Sequence, residues 1–294
     1  MKLLPGYRIA LLATLLALLA CNMPALAGST EAEPSSQPTE PLPATALPLP
    51  TLPPLEPGPP TATVSAEWQV LAPGLAIREV QMPVARLNGD AEVLLLRIDP
   101  SQVSTRVHYD PARPATLDEW QSRTDAPILI NGGFFLPDNT AMGLLIADGT
   151  RYTPSYDRFG GMLSVSGATA EVRSLSEFPY YPSESLDQAV QGRPLYLYSG
   201  RVPADFDFNQ DAARRTAVAQ DTDGHIIFMV VYNQAVTLYE MRDWLADTPE
   251  LELWTAVNLD GGASTGLLMD VSDTRINLPA WSRLPIVLGL YPEE

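Results

Sequence analysis

Asp260 and Asn131 are the residues of this chain best placed to do chemistry. Asp260 stands in Ala256-Val-Asn-Leu-Asp-Gly-Gly-Ala-Ser-Thr-Gly266, and Asn131 in Ile128-Leu-Ile-Asn-Gly-Gly-Phe-Phe135. Each stretch is a brief apolar run that ends in a polar residue followed by two glycines. A β-branched-rich run bounded by glycine reads as a buried strand, and paired glycines let a backbone turn sharply and approach a ligand closely. Asn131, and Asn258 with Asp260, then sit at strand ends at the mouth of a sheet. Gly132, Gly133, Gly261 and Gly262 supply the turns, and Ser264 supplies a hydroxyl. The plainer reading is a pair of tight turns whose Asn and Asp bond their own backbone. Arg214-Arg215-Thr216 opens another strand, where a guanidinium can meet an anionic oxygen bidentately. Asp260, Asn131 and Arg215 together make a carboxylate, an amide and a cation, a set that suits a neutral sugar joined to a phosphate.

Other chemistries fit less well. Gly262-Ala-Ser264-Thr-Gly266 matches the G-x-S-x-G pattern of a nucleophile elbow, so a serine hydrolase using Ser264 is an alternative. That elbow wants a helix after the serine and a histidine later in the chain. Here Leu267-Leu-Met reads as a strand, and both histidines, His108 and His225, precede Ser264. No lysine follows Lys2, which removes Schiff-base chemistry, a phosphate-loop lysine and a serine–lysine dyad. With two histidines and Cys21 as the one cysteine, a zinc site of the usual kind is not expected. No metal or cofactor is predicted, and a lone cysteine leaves nothing for an intrachain disulfide.

The elements that must position these residues follow a basic, apolar start. Lys2 and Arg8 precede the uncharged run Ile9–Ala20, and Leu18-Leu-Ala-Cys21 resembles a bacterial lipoprotein signal. Residues 1–20 are therefore expected to be a signal peptide and Cys21 the lipidated residue, with an ordinary signal cut near Ala27 as the alternative. From Glu31 to Thr63, eleven of 33 residues are proline and none is aromatic or basic. Such a segment cannot bury a core, so residues 21–64 are expected to form a disordered stalk reaching up to roughly 100 Å at ~3.1 Å per residue. Residues 65–294 are expected to be one domain. The expected setting is a bacterial cell envelope, outside the cytoplasm, with the lipid at Cys21 as the membrane contact.

The formal charge of −17 becomes −19 without Lys2 and Arg8. Nucleic acid and anionic lipid surfaces are poor partners for such a body. Within the domain, Glu92–Asp99 and Gln102–Tyr109 read as strands joined by an Asp-Pro-Ser turn. Thr116-Leu-Asp-Glu119 and Thr237-Leu-Tyr-Glu240 are capping boxes that predict helices, and Ser183–Val190 reads as a third. Leu238, Met241, Trp244 and Leu245 keep helical spacing and predict a core face. Thr216–Ala219 and Ile226–Tyr232 form a hairpin, and Gly143–Ile146, Gly161–Val165, Pro194–Tyr198, Gly266–Met269 and Pro285–Leu290 add strands. The predicted class is α+β, with mixed, largely antiparallel sheets and a few short helices.

Five stretches in order resemble the phosphodiester glycosidase family: Asn131-Gly-Gly-Phe-Phe135, Gln188-Ala-Val-Gln-Gly-Arg-Pro-Leu195, Arg215-Thr-Ala-Val-Ala219 with Asp223-Gly224, Asn258-Leu-Asp-Gly-Gly262, and Arg283-Leu-Pro-Ile-Val287. The resemblance runs from about Ile77 to Leu290. It implies a glycosidase that cleaves a sugar-1-phosphodiester, with Asp260, Asn131 and Arg215 catalytic. It places Gly132, Gly133, Gln191, Thr216, Asn258, Gly261, Gly262, Ser264 and Arg283 around a carbohydrate phosphodiester. The chain departs from the family at Ala263, where a glycine is usual. Glycosidases generally use two carboxylates, but a phosphate monoester, with a pKa of about 6, departs with little proton assistance. One carboxylate with an arginine then suffices; Asp157 or Glu184 is the alternative second acid. The rival function is a glycan-binding lipoprotein without turnover, its sugars stacked on Tyr152, Tyr156, Tyr180 and Tyr181.

Overall fold

A computed structural model of the protein describes residues 67–156 and 159–293. The signal segment, Cys21, the proline-rich stretch and Asp157 lie outside the described residues.

The described residues form three sheets. The largest has seven strands, in the order Gln69–Ala72, Leu75–Val84, Gly89–Ile98, Ile226–Val236, Ala213–Asp221, Leu253–Asn258, Leu195–Tyr198. A second, five-stranded sheet runs Thr150–Thr153, Leu145–Ala147, Gln188–Gly192, Gly161–Ser166, Thr169–Ser174. The third, also five-stranded, runs Thr274–Leu278, Leu267–Val271, Ile128–Asn131, Ile286–Pro292, Val103–Tyr109. Every pairing among them is antiparallel.

Strand alternation builds the core. Side chains two apart share a face, so Leu94, Leu96 and Ile98 enter the central cluster together with Val218, Phe228 and Val230. Ile128, Ile130, Leu267, Met269 and Leu288 meet them from the third sheet, and Leu145, Leu163 and Val190 from the second. The alternate set, Val93, Leu95, Ala217, Ile227 and Met229, faces the other way. Both faces of these strands are therefore apolar, and each outer face needs a cover. Helix Leu238–Ala246 covers the seven-stranded sheet with Leu238, Met241 and Leu245, and Trp244 packs at the margin. Helix Leu117–Thr124 covers the third sheet, where Leu117 and Trp120 meet Leu129, Leu268 and Val287. Each fully buried Leu, Ile or Phe contributes on the order of 2 kcal/mol.

Both helices start at the expected capping boxes, with Thr116 and Thr237 accepting from the amides of Glu119 and Glu240. The third expected helix does not form. Residues 188–192 are instead a strand at the centre of the second sheet, paired on both sides and buried throughout. There tertiary burial outweighs a local preference of tenths of a kcal/mol. The two strands expected around the Asp-Pro-Ser turn both form, yet they do not pair with each other. Asp99 accepts from the amide of Ser101 at 2.9 Å and from the Gln102 side chain at 2.7 Å. The turn they close sends the chain from the seven-stranded sheet to the edge of the third.

Candidate active site

The two Gly-Gly stretches meet where the first and third sheets come together. Ile128–Asn131 ends on Asn131, which is wholly buried. Its Nδ2 donates to the backbone carbonyl of Asp260 at 2.8 Å. Its Oδ1 accepts from the Thr216 hydroxyl at 2.7 Å and from the Gly266 amide at 3.1 Å. The Asp260 amide in turn donates to the Gly132 carbonyl at 3.2 Å. One amide side chain thus ties together three strands and the turn that carries Asp260.

Several of the expected site residues are engaged within the protein. The hydrogen bonds of the Asn131 side chain are all internal. Thr216 is likewise wholly buried beneath it. Asn258 accepts from the Tyr196 hydroxyl at 2.9 Å and donates to the carbonyls of Arg193 and Leu259 at 2.8 and 2.7 Å. Gln191 donates to the carbonyls of Tyr156 and Phe159 and accepts from the amides of Leu144 and Tyr156. Asn258 and Gln191 are wall-builders. Gly132 and Gly133 are glycine for want of room: a Cβ on Gly132 would lie 2.5 Å from the Ile286 side chain, and one on Gly133 2.6 Å from that of Val190.

The Asp260 carboxyl remains partly exposed. Its Oδ1 accepts from the Gly261 amide at 2.9 Å, and the Ser264 hydroxyl also bonds it. Burial pushes its pKa up to about 6, against the lowering effect of those two hydrogen bonds. A carboxyl so tuned is mostly ionised at neutral pH and can change charge near it. Gly262 takes a positive φ of 63° and starts the short turn Gly262–Ser264, which brings Ser264 back to Asp260.

The arginine pair splits across its strand. A break in register between Ala213 and Arg215 accompanies the split. Arg214 lies under the Gly262–Thr265 turn and donates to Thr265 and Pro279 carbonyls at 2.6 and 3.2 Å. Arg215 is also buried; its Nε donates to the Val236 carbonyl at 2.9 Å and its Nη2 to that of Asp211 at 2.5 Å. Its Nη1 lies 3.8 Å from where a Cβ on Gly261 would stand. Arg215 therefore presents its third nitrogen to the Asp260 turn. Arg283 does not: its guanidinium is held by Glu119 at 2.5 Å and by the Pro114 carbonyl at 2.8 Å, at the start of the first helix.

The serine hydrolase reading fails on geometry. His108 bonds the Tyr291 hydroxyl at 2.9 Å, and His225 pairs with Asp221 at 3.0 Å at the turn end of its hairpin. Neither serves Ser264, whose other neighbour is the Ser282 hydroxyl at 3.3 Å. Glu184 is engaged by Arg173 at 2.6 Å. Tyr180 is a core residue, whereas Tyr152, Tyr156 and Tyr181 are exposed. Among the described residues no cluster of three or more His, Cys, Asp or Glu is placed to hold a metal ion.

The family model for phosphodiester glycosidases matches residues 124–291, which include Asn131, Arg215, Asp260 and Ser264. The chain belongs to the phosphodiester glycosidase family. The fold agrees: the catalytic domain of zebrafish N-acetylglucosamine-1-phosphodiester alpha-N-acetylglucosaminidase, solved auto-inhibited by its pro-peptide, superposes with a TM-score of 0.59 at 17% identity, over 77% of this chain and 88% of that one. A hypothetical protein from Synechocystis superposes with a TM-score of 0.57 at 16% identity, over 75% of this chain and 62% of its own. No curated protein matches the chain.

Two features of this member of the family carried no signal in the periodicity of the sequence. One is a pocket of about 80 Å³ beside Gln191 and Gly192, lined by Phe134, Met142, Tyr156, Phe159 and Arg193. The other is Trp281, an exposed indole whose amide donates to the Ala263 carbonyl at 2.7 Å. Both come from loop residues brought in by tertiary folding, and a lone aromatic in a loop is a weak clue.

Proposed function

We propose that this protein hydrolyses a sugar-1-phosphodiester at the bond between the anomeric carbon and the bridging oxygen, releasing a phosphate monoester. The observation that carries the reading is the convergence on one turn of the Asp260 carboxyl and the Nη1 of Arg215, with Asn131 fixing the turn from below. In its ionised form Asp260 stabilises the positive charge that develops at the anomeric carbon. Arg215 faces the phosphate, where negative charge gathers as the bond breaks. The leaving phosphate monoester, with a pKa of about 6, needs no strong acid to protonate it, so a site with one free carboxyl is sufficient. Solvent exclusion around Asp260 strengthens its interaction with the developing cation.

We further propose that the enzyme acts outside the cytoplasm, tethered by a lipid on Cys21 at the end of the proline-rich segment. The support is the Leu18-Leu-Ala-Cys21 motif and the proline-rich segment that follows it. None of the described helices is long and apolar enough to cross a membrane. A panel of chromogenic sugar-phosphodiesters tests the activity: the parent is expected to turn over at least one of them, and the Asp260→Asn variant none. A panel untouched by the parent contradicts the reading.

A further inference from the structure

Trp281 leaves 66% of its surface exposed although it belongs to one of the most constrained turns of the molecule. The amides of Trp281 and Ser282 both donate to the Ala263 carbonyl, at 2.7 and 3.1 Å. Beneath the indole lies the guanidinium of Arg214, 3.9 Å from the ring centroid. Arg214 is itself buried and held by the carbonyls of Gly262, Thr265 and Pro279. One face of the ring is thus fixed to the turn that follows Asp260, and the indole as a whole remains open. The next residue, Ser282, places its hydroxyl 3.3 Å from that of Ser264, which bonds the Asp260 carboxyl.

Leaving an indole this exposed forgoes its burial, and holding it rigid removes the entropy penalty of ordering it on binding. A pyranose ring presents C–H groups on one face, and these complement the electron-rich face of an aromatic ring. We propose that Trp281 is the platform on which the sugar ring of the substrate stacks, a specificity-determining residue for the hydrolysis proposed above, on which this inference rests. Tyr152, Tyr156 and Tyr181 are exposed too, but none is bonded to the turn that carries Asp260. By the scale of ring stacking on aromatic side chains, loss of the platform weakens binding about tenfold to a hundredfold.

The test uses the full chain and the methyl diester of N-acetylglucosamine-1-phosphate, with dimethyl phosphate as a sugar-free control. Nitrogen-15 spectra of the Asp260→Asn protein resolve the indole N–H signals, and Trp281→Phe identifies the one from Trp281. That signal is expected to shift saturably with the sugar diester and not with dimethyl phosphate. In the parent background, Trp281→Ala is expected to raise KM about tenfold or more with kcat little changed, and Trp281→Phe to restore most of the loss. An indole signal that stays put at millimolar diester, or an unchanged KM in Trp281→Ala, overturns the platform. An indole shift in a parent that hydrolyses nothing supports the platform and sinks the hydrolytic reading; hydrolysis indifferent to Trp281→Ala does the reverse.

Discussion

Asn131 and Asp260 lie 129 positions apart in the chain, yet the side-chain amide of the first holds the backbone carbonyl of the second at 2.8 Å. The return bond, from the Asp260 amide to the Gly132 carbonyl at 3.2 Å, closes a reciprocal link between the two Gly-Gly stretches. Asn131 is satisfied on both its oxygen and its nitrogen. In the hydrolysis proposed above it acts through Asp260.

Asn131→Ala strands the Gly266 amide and the Asp260 carbonyl and leaves the Thr216 hydroxyl only the Thr265 hydroxyl, at 3.4 Å. Unsatisfied buried groups cost about 1–3 kcal/mol each, so denaturant melts are expected to show a loss of roughly 3 kcal/mol or more. Activity falls with it, because Asp260 loses its support. An unchanged unfolding midpoint contradicts the positioning role.

Asp260→Asn is expected to have the opposite effect on stability. The carboxyl, with its pKa pushed up to about 6, is held ionised at neutral pH against burial. A neutral amide of the same shape escapes that penalty, so the variant gains on the order of 2 kcal/mol at pH 8 while turnover disappears. Thermal melts and a rate assay check both halves. A variant that loses activity and stability together indicates a structural role for the carboxylate.

The sign of the pH dependence follows. Between the ordinary carboxyl value of 3.8 and about 6, native Asp260 binds a proton that the unfolded chain releases. Its contribution to stability therefore falls as pH rises through that window and is lowest above it. Activity moves the other way, since the ionised form is the working one: kcat/KM drops below about pH 6. The gap in stability between parent and Asp260→Asn is expected to open over pH 4–6; a gap constant with pH contradicts the assignment.

Much of this arrangement was legible in the sequence. Thr116 and Thr237 announced both α-helices because a capping box is a local device, complete within four residues. Asp260, Arg215 and the two Gly-Gly turns could be found because polar residues and glycines stand out against apolar strand runs. Gln188–Gly192 could not: with Gln at each side of Ala-Val, its strand character comes from neighbours on both sides rather than from its own residues. Leu75–Val84 and Thr169–Ser174 went unmarked because their polar positions fall at sheet margins and blur the alternation. For Arg283, the family resemblance of Arg283-Leu-Pro-Ile-Val287 points to the site, whereas its side chain turns toward Glu119. Nothing in the composition distinguishes that choice.

Arg215→Lys keeps the charge and loses the fork. A single ammonium cannot reach the Val236 and Asp211 carbonyls and also the Asp260 turn, so the variant is expected to lose stability by about 1–3 kcal/mol and kcat/KM by at least tenfold. Arg283→Lys, by contrast, is expected to leave kinetics near those of the parent. Equal kinetics for Arg215→Lys and the parent place the phosphate elsewhere.

The most direct measurement of the central claim is hydrolysis in oxygen-18 water, with mass spectrometry of both products. Cleavage between the anomeric carbon and the bridging oxygen puts the label on the sugar and leaves the released phosphate monoester unlabelled. Label on phosphorus, or activity abolished by a chelator and restored by a divalent ion, contradicts it.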